Sequence, residues 1–273
     1  MKRVLNIIFS VVVWAALFVY LMWSGQMCSR RMNDQRIREV KVVVRDSATC
    51  RIVTSDMVRQ WLDQEGINLR NATAVKVNTR HIRDLLLGHL FVADVRVFTD
   101  LGGRLTISLA QRKPIARVNT DNGYNFYITS DRYILPMQSH EVVYVPVITG
   151  NFTPPFERGY VGALPDPKDK REQKSVFIHK LIDFVETVDD SDFWRSEIVQ
   201  TVVDGSAQTA GKEPKVEIVP RSGNHIVSLG TLDDIPEKLD RLLAFYRGGL
   251  RYEGWDSYSR VSVEFSGQVV CTK

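Results

Sequence analysis

The pattern of hydrophobic and polar positions begins with a segment that is apolar throughout. Val4 to Trp23 is a run of 20 residues with no charged side chain. At 1.5 Å rise per residue, a helix of this length spans about 30 Å, the hydrocarbon thickness of a bilayer. Trp14 lies mid-span, while Tyr20 and Trp23 lie at the distal end, where aromatic rings favour the membrane interface. The pattern predicts a membrane anchor at residues 4–23.

A cleaved signal peptide is the alternative interpretation of this segment. The basic residues at 1–3 fit it, but the apolar run is longer than the usual stretch of about 7–15 residues. Residues 24–28 also lack a small-x-small cleavage site. We therefore expect residues 1–3 to form a short stub and residues 24–36 a juxtamembrane linker. Basic residues flank the span on both sides, so charge by itself leaves the orientation open.

Residues 37–112 are predicted to form a β-α-α-β-β unit. Apolar residues alternate with polar ones at 40–44, 95–97 and 105–109, which is the period of half-buried strands. The first and second of these runs are separated by two stretches in which apolar residues recur at helical spacing. The helices are expected to begin at the N-capping residues Thr54 or Ser55 and Asn78, and to direct Trp61 and Leu86, together with the strand residue Val97, into the core.

Residues 113–273 are predicted to form a second, larger unit that is mostly strand. Short runs of β-branched and aromatic residues are separated by turn residues, and two stretches with helical apolar spacing lie at 177–188 and 236–246. Residues 150–174 interrupt the pattern with four of the ten prolines of the chain, and we expect a Pro-rich surface loop or insertion there. The predicted fold class is α+β: one transmembrane helix, the β-α-α-β-β unit, and a mostly antiparallel sheet with flanking helices.

The charge distribution argues against nucleic acid as a partner. The net charge is +4, but residues 1–38 alone carry six basic side chains against one acidic one, which leaves the remaining chain at −1. A nucleic-acid-binding domain needs a basic excess in its folded body.

Catalytic and metal-binding patterns are also missing from the sequence. The three cysteines form no C-x-x-C pair, the five histidines are scattered, and no nucleophile elbow or phosphate loop is present. Paired acidic residues such as Asp189-Asp190 and Asp233-Asp234 adjoin predicted helix ends, where they serve capping roles. We expect no catalytic residue, no metal site, no cofactor and no small-molecule substrate. Whether Cys50 and Cys271 pair stays open.

The closing strand offers a binding surface of another kind. Residues 261–265 alternate, and a strand at the edge of a sheet presents unpaired backbone groups to which an extended partner segment can add. The alternative is an internal strand with both neighbours in place. The pattern of residues does not distinguish the two.

Several motifs resemble the bacterial FtsQ/DivIB cell-division family. Residues 79–97 are similar to the end of its POTRA domain, and Arg104–Ala116 is similar to its junction pattern L-x-I-x-V-x-E-R-x-P-x-A, with Gln111 at the position of Glu. Tyr127–Pro136 is similar to the hairpin Y-I-D-x-x-G-x-x-x-P, with Arg132 at the position of Gly.

Two later segments extend the resemblance, and a third departs from it. Ile226–Gly230 and Lys238–Leu242 are similar to the family segments I-x-L-G and K-L-x-R-L. The closing strand reads Ser262-Val263-Glu264-Phe265 where many relatives have D-L-R-Y. The apolar alternation and the aromatic residue are kept there, but the charged positions differ in sign.

The resemblance implies a non-enzymatic divisome scaffold in the cell inner (cytoplasmic) membrane, enriched at the division septum. Residues 1–3 would then be a cytoplasmic stub, with the POTRA domain at 37–112 and the β domain at 113–273 in the periplasm. The implied partners are FtsB-like and FtsL-like single-span proteins and the septal peptidoglycan synthase complex. An FtsB strand would add to the last strands of the β domain, where the implied partner-binding residues are Tyr258, Val261, Val263, Phe265, Gly267, Gln268 and Val269.

Two other functional classes are weaker alternatives. A POTRA-type module that handles polypeptides in envelope transport or assembly would be expected to have several POTRA units and a C-terminal barrel, and the pattern here predicts one unit and no barrel. A membrane-anchored extracytoplasmic enzyme would need a catalytic constellation that the sequence does not offer.

Overall fold

The computed structural model describes residues 12–24, 36–45, 52–69, 72–73, 77–100, 102–137, 143–166 and 173–273. The chain divides into two compact units, Met1–Gln111 and Arg112–Lys273. The predicted stub at 1–3 and most of the predicted linker at 24–36 lie outside the described residues, as do Val4 and Cys50.

The N-terminal described segment is a helix, α1, at residues 12–24. It contains Trp14, Tyr20 and Trp23, and all three side chains are exposed. Among the residues that the structure describes, no helix is both long enough and apolar enough to cross a membrane. The predicted span begins at Val4, so its first part is not among these residues.

The first unit has the predicted β-α-α-β-β order. Its three-stranded sheet has the order β1-β3-β2, with β1 parallel to β3 and β2 antiparallel to β3. The elements are β1 (Glu39–Val44), α2 (Ser55–Gln64), α3 (Thr79–Leu87), β2 (Val92–Thr99) and β3 (Arg104–Gln111).

Both helices of this unit begin at a residue whose side chain caps the first turn. The Thr54 hydroxyl accepts a hydrogen bond from the Met57 amide, and the Asn78 side chain accepts one from the His81 amide at 3.0 Å. Such caps satisfy amide groups that have no partner within the helix. Of the two predicted caps for α2, the structure therefore selects Thr54 rather than Ser55.

The core prediction for this unit is confirmed for Leu86 and holds only in part for Trp61 and Val97. Leu86 is fully buried, whereas the other two side chains are only partly covered. The Trp61 indole lies at the flank of α2, where it stacks on the His89 ring at 3.8 Å between centroids. Val97 lies on β2, which among the described strands has a neighbour, β3, on one side only.

Gln111 stands where the family pattern has glutamate, and its side chain accepts a hydrogen bond in the interior of the unit. Its side chain is buried, and its Oε1 accepts a hydrogen bond from the Val53 amide at 2.7 Å. A neutral amide oxygen can accept this bond without the cost of burying a charge. Gln111 therefore links the end of β3 to the segment before α2.

The second unit is built on one ten-stranded sheet. Its strands are β4 (Pro114–Thr120), β5 (Asn125–Thr129), β6 (Tyr133–Pro136), β7 (Val147–Gly150), β8 (Gly162–Ala163), β9 (Ile198–Asp204), β10 (Lys215–Pro220), β11 (Ile226–Gly230), β12 (Arg260–Ser262) and β13 (Val270–Thr272). Its helices are α4 (Gln173–Asp189), α5 (Asp192–Glu197), α6 (Ile235–Phe245) and α7 (Arg251–Glu253), with a π-turn at Tyr246–Leu250 before α7.

The strand order is β13-β12-β11-β10-β9-β7-β4-β5-β6-β8. Most neighbours are antiparallel, as predicted, but β4–β7, β7–β9 and β11–β12 are parallel pairs. A parallel pair needs a crossover connection, and the helical segment between β11 and β12 provides one. This crossover positions the C-terminal strands beside β11.

One hydrophobic core joins the helices to alternate residues of the sheet. Helix α4 buries one face, which includes Phe177, Leu181 and Phe184, and α6 contributes Leu239 and Leu242. Side chains alternate between the two faces of a strand, and on β10 the exposed Lys215 and half-buried Glu217 face away from this core. At the other end of the sheet, Tyr127 and Leu135 face away from the same core but are buried.

The predicted surface loop at 150–174 is instead partly integrated into the fold. Phe152 and Leu164 are buried in the core, and β8 pairs with β6 at one edge of the sheet. The prolines indicated a loop correctly, but the loop is anchored by its apolar residues. Residues 167–172 lie outside the described residues.

Arg132 occupies a position where the family commonly has glycine, and its backbone explains that preference. Its φ of +55° lies in the left-handed region that favours glycine. The guanidinium donates to His179 Nδ1 and to the Asp183 carboxylate, both at 2.6 Å. These two contacts with α4 offset the strain and fix the turn before β6 against the helix.

Candidate partner-binding edge

The sheet of the second unit ends at β13, and this strand has an open outer side. β13 pairs with β12 on its inner side, and no described strand lies on the other. Unpaired backbone amides and carbonyls at such an edge are a template for an additional strand. The candidate site is therefore the outer side of Val270–Thr272 with the turn at 265–269 that leads into it.

The prediction that residues 261–265 form the exposed edge is wrong. β12 is paired on both sides, with β11 through Val227–Val261 and with β13 through Val261–Cys271. Val261 and Val263 have no exposed surface and belong to the core. The chain reverses direction after Phe265 and returns as β13, which covers β12.

The predicted site residues consequently divide into three groups. Val261 and Val263 lie in the interior, while Tyr258 and Val269 are half-buried against the core. The remaining three, Phe265, Gly267 and Gln268, lie exposed on the turn before β13. The predicted site residues end at Val269, and the edge itself is formed by the next three residues, Val270, Cys271 and Thr272.

The backbone of β13 indicates which residue faces outward. The Thr272 carbonyl accepts a hydrogen bond from the Ser259 amide at 2.8 Å, so Thr272 directs its carbonyl toward β12. Successive residues of an antiparallel strand alternate in direction. The amide and carbonyl of Cys271 are therefore expected to point away from β12, toward an incoming strand.

The two faces of the sheet differ in character at this edge. On the core face, Cys271 carries a free, half-buried thiol and packs against the core, as do Tyr258 and Val269. On the opposite face, Val270 is exposed, and the nearby ion pairs Lys215–Glu264 and Arg260–Glu217 make the surface polar. An added strand would meet an apolar surface on one face and a charged surface on the other.

Exposed aromatic surface adjoins the edge. The Phe265 side chain is 51% exposed on the turn that precedes β13. Large aromatic side chains contribute most to interface energetics because each buries a large area with few rotatable bonds. Phe265 is therefore the side chain at this edge best suited to anchor a partner.

A buried histidine links three segments that lead toward the edge. His225 precedes β11, and its Nε2 lies 2.9 Å from the hydroxyl of Tyr246 in the π-turn. The Tyr246 ring packs edge-to-face on Trp255, in the loop before β12. Burial lowers the pKa of the His225 imidazole, while the Trp255 backbone, Glu197 and Asp256 act in the opposite direction.

The lowered pKa of His225 predicts a pH-dependent stability for the second unit. The unfolded chain takes up a proton near the ordinary value of 6.5, whereas folded His225 does so at lower pH. Stability is therefore fully present above pH 6.5 and decreases as the pH falls through the folded pKa. We expect the midpoint of urea unfolding, followed by tryptophan fluorescence, to decrease less between pH 7 and 5.5 in His225→Gln than in the parent. The exposed His81→Gln should follow the parent, and equal slopes for all three proteins would contradict the prediction.

The described residues contain no group of three or more His, Cys, Asp or Glu side chains that could hold a metal ion. The buried Lys238 donates to the Thr231 carbonyl at 2.6 Å and closes the loop before α6. This lysine has a structural role in the loop.

Comparisons with known proteins identify both units. The family model described as "FtsQ/DivIB, C-terminal related" matches residues 113–272, and one described as "POTRA-like domain" matches residues 35–110. No curated protein gave a significant match. The first match covers more than half of the chain, and the β-α-α-β-β unit and large sheet agree with the two descriptions. The chain belongs to the FtsQ/DivIB family of cell-division proteins.

Proposed function

We propose that the protein is a non-enzymatic divisome scaffold that links and regulates septal peptidoglycan synthesis by binding FtsB- and FtsL-type partners. The observation that carries the proposal is the open outer side of β13 beside the exposed Phe265. The binding edge is thus displaced from the strand at 261–265 to Val270–Thr272.

Strand addition at β13 accounts for recognition by a single-span partner. Backbone hydrogen bonds at the edge supply affinity, and the alternating side chains of the incoming strand supply specificity. The apolar surface near Cys271 favours apolar residues on one face of that strand. The ion pairs near Val270 favour polar residues on the other face.

The proposal includes a single membrane anchor at residues 4–23, with the N-terminus in the cytoplasm and both domains in the periplasm. It is supported by the uncharged apolar run and by the exposed apolar side chains of its described part, α1. Attachment to the cytoplasmic membrane would hold the edge near other single-span proteins.

Binding of the full chain to the extracytoplasmic segment of the FtsB-type protein from the same organism tests the proposal. Phe265→Ala removes the expected anchor and should weaken binding about 30-fold, which corresponds to roughly 2 kcal/mol. Phe98→Ala is the matched control, because Phe98 is 53% exposed but lies on β2 of the first unit.

Isothermal titration calorimetry provides the affinities, and circular dichroism establishes that each variant is folded. Unchanged binding by the control together with weak binding by Phe265→Ala would support the edge as the partner site. Equal affinity for the parent and both variants would place the partner site elsewhere on the chain.

A further inference from the structure

An ion pair joins two strands that are not neighbours in the sheet. Lys215 Nζ on β10 lies 2.8 and 3.2 Å from the two carboxylate oxygens of Glu264, which follows β12. Strand β11 lies between β10 and β12, so the two side chains meet across it. The Glu264 side chain is mostly covered, at 27% exposed.

Gly230 at the end of β11 makes this contact possible. Its φ is +68°, and a Cβ atom built at this position would lie 2.5 Å from Glu264 Cγ and 2.8 Å from Cδ. Any larger residue would displace the glutamate side chain. The glycine therefore provides the space through which Glu264 reaches Lys215.

The backbone around Glu264 is held from two further directions. The amide of Val263 donates to the Ser228 carbonyl at 3.0 Å, which extends the pairing of β12 with β11. From α6, the guanidinium of Arg241 reaches the Val263 carbonyl at 3.4 Å. The last paired residues of β12 are thus fixed by β10, β11 and α6 together.

This arrangement lies immediately before the turn that carries Phe265 and leads into β13. We propose that Glu264 is a positioning residue: through Lys215 it fixes where the chain leaves β12, and so sets the position of Phe265 and of the open edge. The inference rests on the proposed function for its effect on binding. Glu264 thus acts on its own chain, although relatives place an oppositely charged arginine there.

Charge reversal and charge exchange test this role in the full chain. Glu264→Lys places two positive charges together, and the double variant Lys215→Glu with Glu264→Lys restores an ion pair of opposite direction. Asp183→Asn is the matched control, since it removes the ion pair with Arg132 beside β6, toward the other end of the same sheet. Two quantities are measured: affinity for the FtsB-type segment, and hydrogen exchange of the Val270 and Thr272 amides in the free protein.

We expect Glu264→Lys to bind about tenfold more weakly and its β13 amides to exchange faster, because repulsion replaces a partly buried pair. The double variant should recover exchange protection and bind within about threefold of the parent. The affinity of Asp183→Asn should stay within the same range.

Two outcomes would overturn the inference. Unchanged exchange in Glu264→Lys would show that the ion pair does not position β13. Restored exchange with binding still weak in the double variant would show that Glu264 contacts the partner directly. If the parent itself does not bind the segment, the proposed function fails, and the exchange data still decide the positioning role.

Discussion

Replacing Gly150 with alanine is expected to destabilise the second unit by about 3–5 kcal/mol. Gly150 has a φ of +136°, a conformation that residues with a side chain rarely adopt. A Cβ atom would also lie 1.9 Å from the Val203 carbonyl oxygen and 2.9 Å from its nitrogen. Strand β7 pairs with β4 on one side and β9 on the other, so the backbone has little freedom to move away.

Gly159→Ala separates the steric effect from the conformational one. Gly159 lies in the same unit with a φ of +80°, and a Cβ there would have no atom within 4 Å. Gly159→Ala should therefore lower the free energy of unfolding by only about 1–2 kcal/mol, because only the left-handed backbone is unfavourable there. Urea unfolding of the two variants and the parent measures the difference. Equal destabilisation of the Gly150→Ala and Gly159→Ala variants would contradict the prediction, because the clash of the new Cβ with the Val203 backbone would then add nothing.

Val263→Pro is expected to lower the free energy of unfolding by about 3 kcal/mol or more and to disorder the C-terminal strands. The Val263 amide donates to Ser228, and the side chain is fully buried in the core. Proline removes the donor, and its ring cannot be accommodated within a paired strand. Loss of partner binding by this variant would therefore follow from loss of structure rather than from an altered interface.

Val263→Ala distinguishes the backbone effect from side-chain packing. It removes two buried methyl groups but keeps the amide. It should therefore lower the free energy of unfolding by about 2 kcal/mol and leave the strand pairing intact. Hydrogen exchange of the Val261 and Thr272 amides reports on that pairing. A proline variant as stable and as well protected as the alanine variant would mean that the assigned register of β12 is wrong.

Local features of the fold could be predicted from the sequence because they depend on residues close together in the chain. Thr54 and Asn78 cap the helices that follow them, and the alternating runs of the first unit form its three strands. The motifs around Arg104–Ala116 and Tyr127–Pro136 also predicted the family. The Arg132 position was recognised from its neighbours as one that favours glycine, and its positive φ gives the reason.

Side-chain orientation at the margins of elements was less predictable. Helical spacing placed Trp61 on the apolar side of α2, but its burial depends on His89, which lies beyond the next helix. In the insertion, the prolines predicted an irregular path, whereas the burial of Phe152 and Leu164 depends on where the loop meets the core. Spacing within one element contains no information about such contacts.

The sequence by itself determined that the closing segment would be strand and that an aromatic residue would stand near its end. Only the tertiary structure decided which strand is the edge, because pairing depends on residues far apart in the chain. The parallel crossover from Ile226–Gly230 makes β12 internal, and the reversal after Phe265 returns β13 to the outside. A period of two is the same for an internal strand and for an edge strand, so alternation alone could not distinguish Val263 in the core from Val270 at the surface.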